Sequence, residues 1–192
     1  HTVLGVLSDG PLHGYELRKR LTAILGPFRA LSFGSLYPCL HRLTQTSLIE
    51  QIDAVARDEI VGVSTKRARI VYALTAEGKE AFESWVQETG PESWEDEAFA
   101  ARMAFFSRTD AQVRLRILEG RRTRLEERLR ALGESIERTS AQMDLYAERL
   151  QRHGIEGAER EVSWLQELID SERGSRVERK QARAVKKETR RA

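Results

Sequence analysis

The side chains that could do chemistry in this sequence are those that suit contact with nucleic acid. A predicted helix near residues 35–45 leaves polar residues off its apolar face, and a later segment carries three cations close together. Short polar side chains on a helix can bind base edges in the major groove, whereas cations on a hairpin bind phosphates without regard to sequence. The candidates are Tyr15, Ser35, Tyr37, His41, Arg42, Lys66, Arg67 and Arg69.

Each of these candidates also has a purely structural interpretation. Tyr15 and Tyr37 could be core aromatics, and Ser35 could simply cap a helix. The three cations could lie on a solvated hairpin. His13 and Glu16 stand three residues apart on a predicted helix, but two potential ligands do not define a metal site.

The elements that would position these residues follow from periodicity. A short apolar helix ends at Asp9-Gly10-Pro11, a second helix follows from His13, and a third places Leu36, Leu40 and Leu43 on one face, with Ser35 as its cap and Pro38 in its first turn. The residues between Leu48 and Val55 and between Ala68 and Leu74 have a strand composition. Thr75 should cap the next helix. The order of these elements predicts a winged helix-turn-helix: three helices, a hairpin with a basic tip and a further helix.

Composition and motifs exclude several other classes of protein. The four histidines have no evident catalytic partners, and no phosphate-binding loop or nucleophile elbow occurs, so we expect neither an enzyme nor a cofactor. The lone Cys39 leaves no disulfide and no cysteine-rich zinc site. No apolar run reaches the roughly 20 residues that span a bilayer, and no signal-like segment opens the chain. The expected compartment is the cytoplasm, with no membrane contact.

The second half of the sequence predicts long helices. Thr109 and Gln112 can form a capping box. Positions at alternating spacings of three and four from Leu115 to Leu150 are apolar in nine of eleven cases, all but Arg122 and Thr139, and predict one helix of about 40 residues. A partner helix is predicted over 156–171, after a break at Gly154 and Gly157. Because one chain leaves part of this apolar surface uncovered, we expect a homodimer. Its predicted contacts are Leu118, Leu125, Leu129, Leu132, Ile136, Met143, Leu165 and Leu168.

The predicted domains are a DNA-binding domain over 1–89, a helical dimerisation domain over 90–172 and a basic tail over 173–192. The tail carries nine basic and two acidic residues, and we expect it to be frayed or disordered rather than bound to DNA. Aromatic residues near the domain junction suggest an effector pocket. Its candidate residues are Trp85, Trp94, Phe99 and Phe105.

The sequence resembles the PadR-like transcriptional regulators. The resemblance rests on four stretches in the family's order: residues 4–17 (LGVLSDGPLHGYEL), 34–38 (GSLYP) with Leu40, Arg42 and Leu43, 48–50 (LIE), and 67–69 leading into 72–78 (YALTAEG). The second half, through EAFAARMAFF at 97–106 and EVSWLQELI at 161–169, is similar to the helical C-terminal domain of the longer members. The hairpin departs from the family's usual Gly-Arg-Pro-Arg-Lys, although Arg67 and Arg69 keep their places.

This resemblance implies a mostly α-helical protein with a small β-hairpin, in which a winged helix precedes a long-helix dimerisation domain. It further implies a ligand-responsive repressor that binds a palindromic operator in double-stranded DNA, with a small aromatic or amphiphilic effector. Two recognition helices about 34 Å apart would meet successive major grooves. The alternative is a coiled-coil interaction module whose winged helix binds another protein.

Overall fold

The chain forms two compact units in a computed structural model that describes residues 1–26, 33–53, 70–139 and 144–189. The first unit contains His1–Glu88 and Ala100–Thr109, and the second contains Thr89–Phe99 and Asp110–Ala192. The predicted fold class is confirmed: the described residues are mostly helical, with one small antiparallel sheet. The return of Ala100–Thr109 to the first unit was not predicted. No helix among the described residues has the length and apolarity that crossing a bilayer requires.

Three helices build the core of the first unit: α1 at Thr2–Leu7, α2 at Gly14–Leu25 and α3 at Phe33–Gln45. Their apolar residues recur at helical spacing, and the buried ones include Leu17, Leu21, Leu36 and Leu40, each at most 1% exposed. The predicted apolar face of the third helix is thereby confirmed at Leu36 and Leu40. Such burial supplies most of the stabilisation of short helices, which are marginal in isolation.

Among the residues that the structure describes, the sheet has three strands rather than the two of a simple hairpin. They are β1 at Leu12–His13, β2 at Ile49–Asp53 and β3 at Ile70–Leu74, in the spatial order β1-β3-β2, and both pairings are antiparallel. Tyr72 in β3 lies between Leu12 and Gln51. The two-residue β1 was not predicted, because so short a strand carries no alternation that could be detected.

Helix α4, at Ala76–Gln87, closes the winged helix. Thr75 caps it as predicted, since its hydroxyl oxygen accepts from the Gly78 amide at 3.0 Å and the hydroxyl donates to the Ser47 carbonyl at 2.7 Å. Gly78 packs so closely that a Cβ there would lie 2.0 Å from the Leu48 carbonyl oxygen. The start of α4 is therefore held directly against the chain that enters β2.

The segment that returns to the first unit begins in α5, at Asp96–Met103, and ends in a 3-10 turn at Phe106–Arg108. Phe105 is 5% exposed and meets the Phe82 ring edge-on, with 5.2 Å between ring centroids. Arg102 is 4% exposed and donates to the carboxylate of Glu88 at 2.8 Å and to its carbonyl at 3.1 Å. A buried aromatic ring and a paired buried cation explain why this segment belongs to the first unit.

In the second unit, α6 at Ala111–Thr139 and α7 at Leu145–Thr189 pack as an antiparallel pair. Two ion pairs fix their alignment: Arg114 with Glu172 at 2.7 Å and Arg121 with Glu161 at 2.8 Å. The apolar residues of both helices fill the space between them. The buried ones are Leu115, Ile117, Leu118, Leu125, Leu165 and Ile169.

The prediction of one helix through residue 150 was wrong. Helix α6 ends at Thr139, and α7 begins after Asp144, whose carboxylate accepts from the amides of Tyr146 at 2.8 Å and Ala147 at 2.9 Å. This is a helix N-cap, and it provides a start for a new helix inside an apolar pattern that would otherwise continue. Residues 140–143, including the predicted contact Met143, lie outside the described residues.

Three further predictions about this unit require correction. Gly154 and Gly157 do not break α7, because packing against α6 outweighs the roughly 1 kcal/mol that a glycine costs inside a helix. The basic segment from residue 173, expected to be frayed or disordered, continues the backbone of α7 to Thr189. Helix α6 begins at Ala111, which makes Asp110 its N-cap, while the Thr109 hydroxyl donates to the Phe105 carbonyl at 3.1 Å.

Candidate nucleic-acid interface

Helix α3 has one apolar and one polar face. Leu36 and Leu40 face the core, while Ser35, Tyr37, His41 and Arg42 are all exposed. Because residues three and four apart on a helix share a face, these four and Gln45 form a continuous polar surface. We call these five residues the α3 polar face. The structure thus brings together every predicted DNA contact on this helix.

The start of α3 differs from the prediction. The helix begins at Phe33, which places Ser35 inside the first turn and not at the cap position. Pro38 is the sixth residue of the helix and cannot donate to the carbonyl of Gly34. Its ring is exposed, so the helix accommodates it on the solvent side. Ser35 therefore lies within the first turn of α3.

Two tyrosines are among the predicted contacts, Tyr15 on α2 and Tyr37 on α3. Tyr15 is 70% exposed and Tyr37 is 42% exposed, so neither is a core aromatic. Tyr37 lies against Gly14, the residue before Tyr15, since a Cβ at Gly14 would lie 3.3 Å from the Tyr37 hydroxyl oxygen. Burial, together with the nearby Tyr37 phenol, raises the pKa of Tyr72 above its usual value. Tyr37 therefore connects α3 to the start of α2.

The predicted interface also includes three cations of the hairpin. Lys66, Arg67 and Arg69 lie outside the described residues, between β2 and β3. Within the described part, α2 adds Lys19 and Arg20, both exposed, and Arg20 lies 3.6 Å from Glu16. A phosphate contact by the hairpin cations stays a prediction from sequence.

The predicted effector residues are distributed over both units. In the first, Trp85 and Phe105 are buried with 6.2 Å between ring centroids. In the second, Phe99 is 5% exposed and meets Trp164 edge-on at 6.4 Å, while Trp94 packs against Gly120. Trp85, Phe99 and Phe105 are thus core residues in their own units, and their contact with an effector stays a prediction.

Arg121 organises the packing around Phe99 and Trp94. It is 6% exposed and binds the Asp96 and Glu161 carboxylates and, at 2.9 Å, the Trp94 carbonyl. Burial alone would lower the pKa of Arg121, but these hydrogen bonds hold it above the usual value. The guanidinium carbon lies 5.3 Å from the centre of the Phe99 ring. The apolar pattern of the sequence gave no indication of this buried cation, because Arg121 is not one of the positions of that pattern.

The predicted dimer contacts lie mostly inside the chain's own helix pair. Leu118, Leu125 and Leu165 are buried there, whereas Leu129, Leu132, Ile136 and Leu168 are half-buried. The large apolar side chains exposed in the described part of this unit are all on α7. They are Leu145, Tyr146, Leu150 and Trp164, with exposures from 40% to 79%. We therefore expect the dimer surface on α7. The prediction from sequence had assigned dimer contacts to both long helices.

Comparison with known proteins gives one family. The model of the transcriptional regulator PadR-like family matches residues 3–84. The negative transcriptional regulator PadR of Bacillus subtilis (strain 168) is 27% identical over 179 residues, which cover 88% of this chain and 94% of the relative.

Crystal structures of Bacillus subtilis PadR are also similar. The complex with operator DNA has a TM-score of 0.40 and 24% identity, covering 89% of this chain and 97% of that one. The complex with p-coumaric acid has a TM-score of 0.37 and 24% identity, covering 88% and 95%. The match over residues 3–84 coincides with the winged helix described above, so this part of the chain matches the PadR-like family of transcriptional regulators.

Proposed function

We propose that this chain is a homodimeric repressor that binds a palindromic site in double-stranded DNA. The observation that carries this proposal is the α3 polar face, where Ser35, Tyr37, His41 and Arg42 are exposed on a helix whose opposite side is buried. A recognition helix needs this division, because its apolar side fixes its direction while the polar side contacts base edges. A protein of this kind would work in the cytoplasm, where the chromosome is.

The sign of regulation is supported by the relative in Bacillus subtilis, which is described as a negative regulator and aligns along most of both chains. Repression needs only that the protein occupy a site that polymerase must use. We therefore assign the same sign to this chain.

Dimerisation through α7 supplies the two-fold symmetry that a palindrome requires. Tyr146, Leu150, Gly157 and Trp164 lie on one side of α7 at heptad-like spacings, away from Leu165 and Ile169, which face α6. We call these four residues the outer α7 stripe. If two copies of α7 cross antiparallel at Gly157, Leu150 of one copy lies opposite Trp164 of the other. The glycine would allow the backbones to approach closely at the crossing.

A mobility shift with DNA from upstream of the chain's own gene tests the DNA-binding part. We expect the affinity to fall steeply with salt, because cations that neutralise phosphates release counterions. Arg67→Ala and Arg69→Ala should flatten this slope on every duplex, whereas Arg116→Ala, an exposed cation on α6, should not. Binding of a protein partner with no shift of any upstream DNA would favour the alternative, in which the winged helix is a protein-interaction module.

The oligomeric state tests the dimer. Leu150→Glu should convert a dimer into a folded monomer in analytical ultracentrifugation, because it places a charge in the centre of an apolar contact. Ser163→Glu is the matched control: it adds the same charge at another exposed position of α7 and should leave the dimer intact. A Leu150→Glu protein that sediments as the wild type would refute the α7 interface.

The proposed repressor also responds to a small-molecule effector. A small aromatic or amphiphilic compound that reduces DNA binding would make the repressor responsive. Because Bacillus subtilis PadR has been crystallised with p-coumaric acid, this compound is a practical first probe. Tryptophan fluorescence during its titration tests contact near Trp85 or Trp94, and release of DNA without any change in fluorescence would argue against both.

A further inference from the structure

The last part of α7 carries an excess of positive charge. From Arg173 to the end of the helix at Thr189, the sequence has seven basic and two acidic residues. The segment was expected to be frayed or disordered, but its backbone is helical. A regular backbone fixes the position of each residue around the helix axis. The seven basic residues are Arg173, Arg176, Arg179, Lys180, Arg183, Lys186 and Lys187.

These seven residues share one side of the helix. Successive residues are rotated by about 100°, and their spacings of three and four place all seven within an arc of about 140°. Glu178 and Glu188 fall outside this arc. The two signs of charge are thus separated around the axis. We call the seven basic positions the α7 cationic side.

The α7 cationic side continues the side of the helix that packs on α6. Leu165 and Ile169, both 0% exposed, fall within the same arc. The two helices are antiparallel, and Arg114, near the start of α6, binds Glu172 at 2.7 Å. At 1.5 Å per residue, α7 therefore extends beyond the start of α6 from roughly residue 175. This side of α7 changes from apolar to cationic where α6 no longer lies beside it.

A row of cations requires water or anions next to it, since a buried charge without a partner is strongly unfavourable. Arg173, the first of the seven, binds Glu119 of α6 at 2.7 Å. The other six follow over about 20 Å of helix. Duplex DNA offers anions in a matching row, with one negative charge per roughly 1.7 Å of its axis. A phosphate backbone is therefore a suitable partner for this surface.

The same segment lacks the large apolar residues that other partners of a basic helix require. A helix that lies on a membrane buries Trp, Phe or Leu on the side opposite its cations, and a helix that binds in a protein groove uses similar anchors. Only small apolar residues occur here. They are Val177, Ala182, Ala184 and Val185. Binding to phosphates needs charge alone, so the composition favours nucleic acid.

We propose that the α7 cationic side is a second DNA-binding surface, which contacts phosphates of the duplex without reading its sequence. The proposal rests on the proposed function for its partner and adds a contact outside the winged helix. Phosphate contacts hold a protein on DNA but carry no sequence information. This surface should therefore raise the affinity for the preferred site and for any other duplex by the same factor.

Salt-dependent binding of the full-length protein tests this surface. Fluorescence anisotropy should compare the wild type with an α7 triple variant, Arg179→Gln, Arg183→Gln and Lys187→Gln, which keeps good helix formers at all three positions. Each phosphate that a cation neutralises adds about 0.9 to the steepness of log affinity against log salt. The triple variant should lower this steepness by about 1 to 2.7 per chain. It should weaken binding to an upstream and a shuffled duplex alike, by at least about fivefold at about 0.15 M salt.

Two controls separate charge on this surface from other effects. The α6 triple variant, Arg116→Gln, Arg124→Gln and Arg130→Gln, removes the same charge from exposed side chains of α6 and should keep the steepness of the wild type. The double variant Arg179→Lys, Arg183→Lys retains the charge and should also behave as the wild type. Circular dichroism should show equal helix content in all four proteins.

Four results would overturn the proposal. The first is unchanged steepness in the α7 triple variant. The second is an equal loss of steepness in the α6 triple variant, and the third is an equal loss in the lysine double variant. The fourth is a wild type that binds phosphatidylserine vesicles through the α7 cationic side, with binding lost in the α7 triple variant while its DNA binding is kept.

The two duplexes also separate this inference from the proposed function. If the wild type prefers the upstream duplex but the α7 triple variant keeps its salt dependence, only the second surface fails. If the wild type binds both duplexes equally, with a salt dependence that the α7 triple variant lowers, only the assignment as a site-specific repressor fails.

Discussion

Two glycines in α6 should respond in opposite directions to the same substitution. Both lie inside the helix, where alanine is favoured over glycine by about 1 kcal/mol. At Gly133, an added Cβ meets no atom within 4 Å. At Gly120, an added Cβ would lie 2.3 to 2.8 Å from three ring atoms of Trp94. Real Cβ atoms do not come this close to a neighbouring atom.

The expected free energies follow from these distances. Gly133→Ala should stabilise the second unit by about 0.5 to 1 kcal/mol through helix propensity alone. Gly120→Ala gains the same amount but forces the Trp94 ring away from α6, and overpacking of this kind costs about 1 to 3 kcal/mol. The displaced ring also strains the hydrogen bond from Arg121 to the Trp94 carbonyl. The net effect should be a loss of about 1 to 2 kcal/mol.

Urea unfolding followed by far-UV circular dichroism gives these differences, and tryptophan fluorescence reports the Trp94 environment. Gly133→Ala should raise the midpoint with unchanged fluorescence, and Gly120→Ala should lower it with a red shift of the emission. Stabilisation of both variants by similar amounts would refute the packing of Trp94 on α6 and, with it, the placement of the 91–99 segment in the second unit.

Other substitutions test the remaining features of the fold. Arg121→Met should lower the free energy of unfolding by about 2 kcal/mol, since it leaves the Trp94 carbonyl and the partly exposed Asp96 and Glu161 carboxylates without their donor. An unchanged midpoint of urea unfolding would contradict this. Asp144→Ala should lose about 1 kcal/mol of stability through its N-cap, and Asp170→Ala, within the same helix, should lose much less. The wild type should lose unfolding free energy at high pH because of Tyr72, and Tyr72→Phe should remove this loss. Since burial raises the pKa of the folded Tyr72, its contribution is fully present below its unfolded pKa of about 10 and falls above it by at most about 1.4 kcal/mol per pH unit. Denaturant titrations at pH 8 and pH 11 check this, and an alkaline loss as large in Tyr72→Phe as in the wild type would refute it.

Local patterns predicted the first unit well. Leu36 and Leu40 lie three and four residues from their apolar neighbours, so their burial follows from helical periodicity. Thr75 stands directly before a helical pattern, and its cap could be predicted from that position. The exposure of Ser35, Tyr37, His41 and Arg42 follows from the same helical period, because residues that alternate with a buried face must lie outside it.

Long-range packing could not be predicted in the same way. Nothing local in Arg102 or Phe105 shows that they return to the first unit, because their partners Glu88 and Phe82 lie 14 and 23 residues earlier in the chain. The spacing of three and four from Leu115 to Leu150 runs across the helix boundary, and a single threonine there, Thr139, did not identify the interruption that the Asp144 cap marks. A heptad seam does not distinguish a partner helix in the same chain from one in a second copy.

The α3 polar face should select a DNA sequence, and the ratio of two affinities tests this most directly. Fluorescence anisotropy at fixed salt should give the affinity of the wild type for an upstream duplex and for a shuffled duplex of equal length. We predict that the upstream duplex is bound at least about 1,000-fold more tightly. The Ser35→Ala, His41→Ala double variant should lower this ratio at least tenfold. Arg116→Ala, which removes an exposed side chain of α6, should leave the ratio unchanged. An equal ratio in all three proteins would contradict the assignment of α3 as the recognition helix.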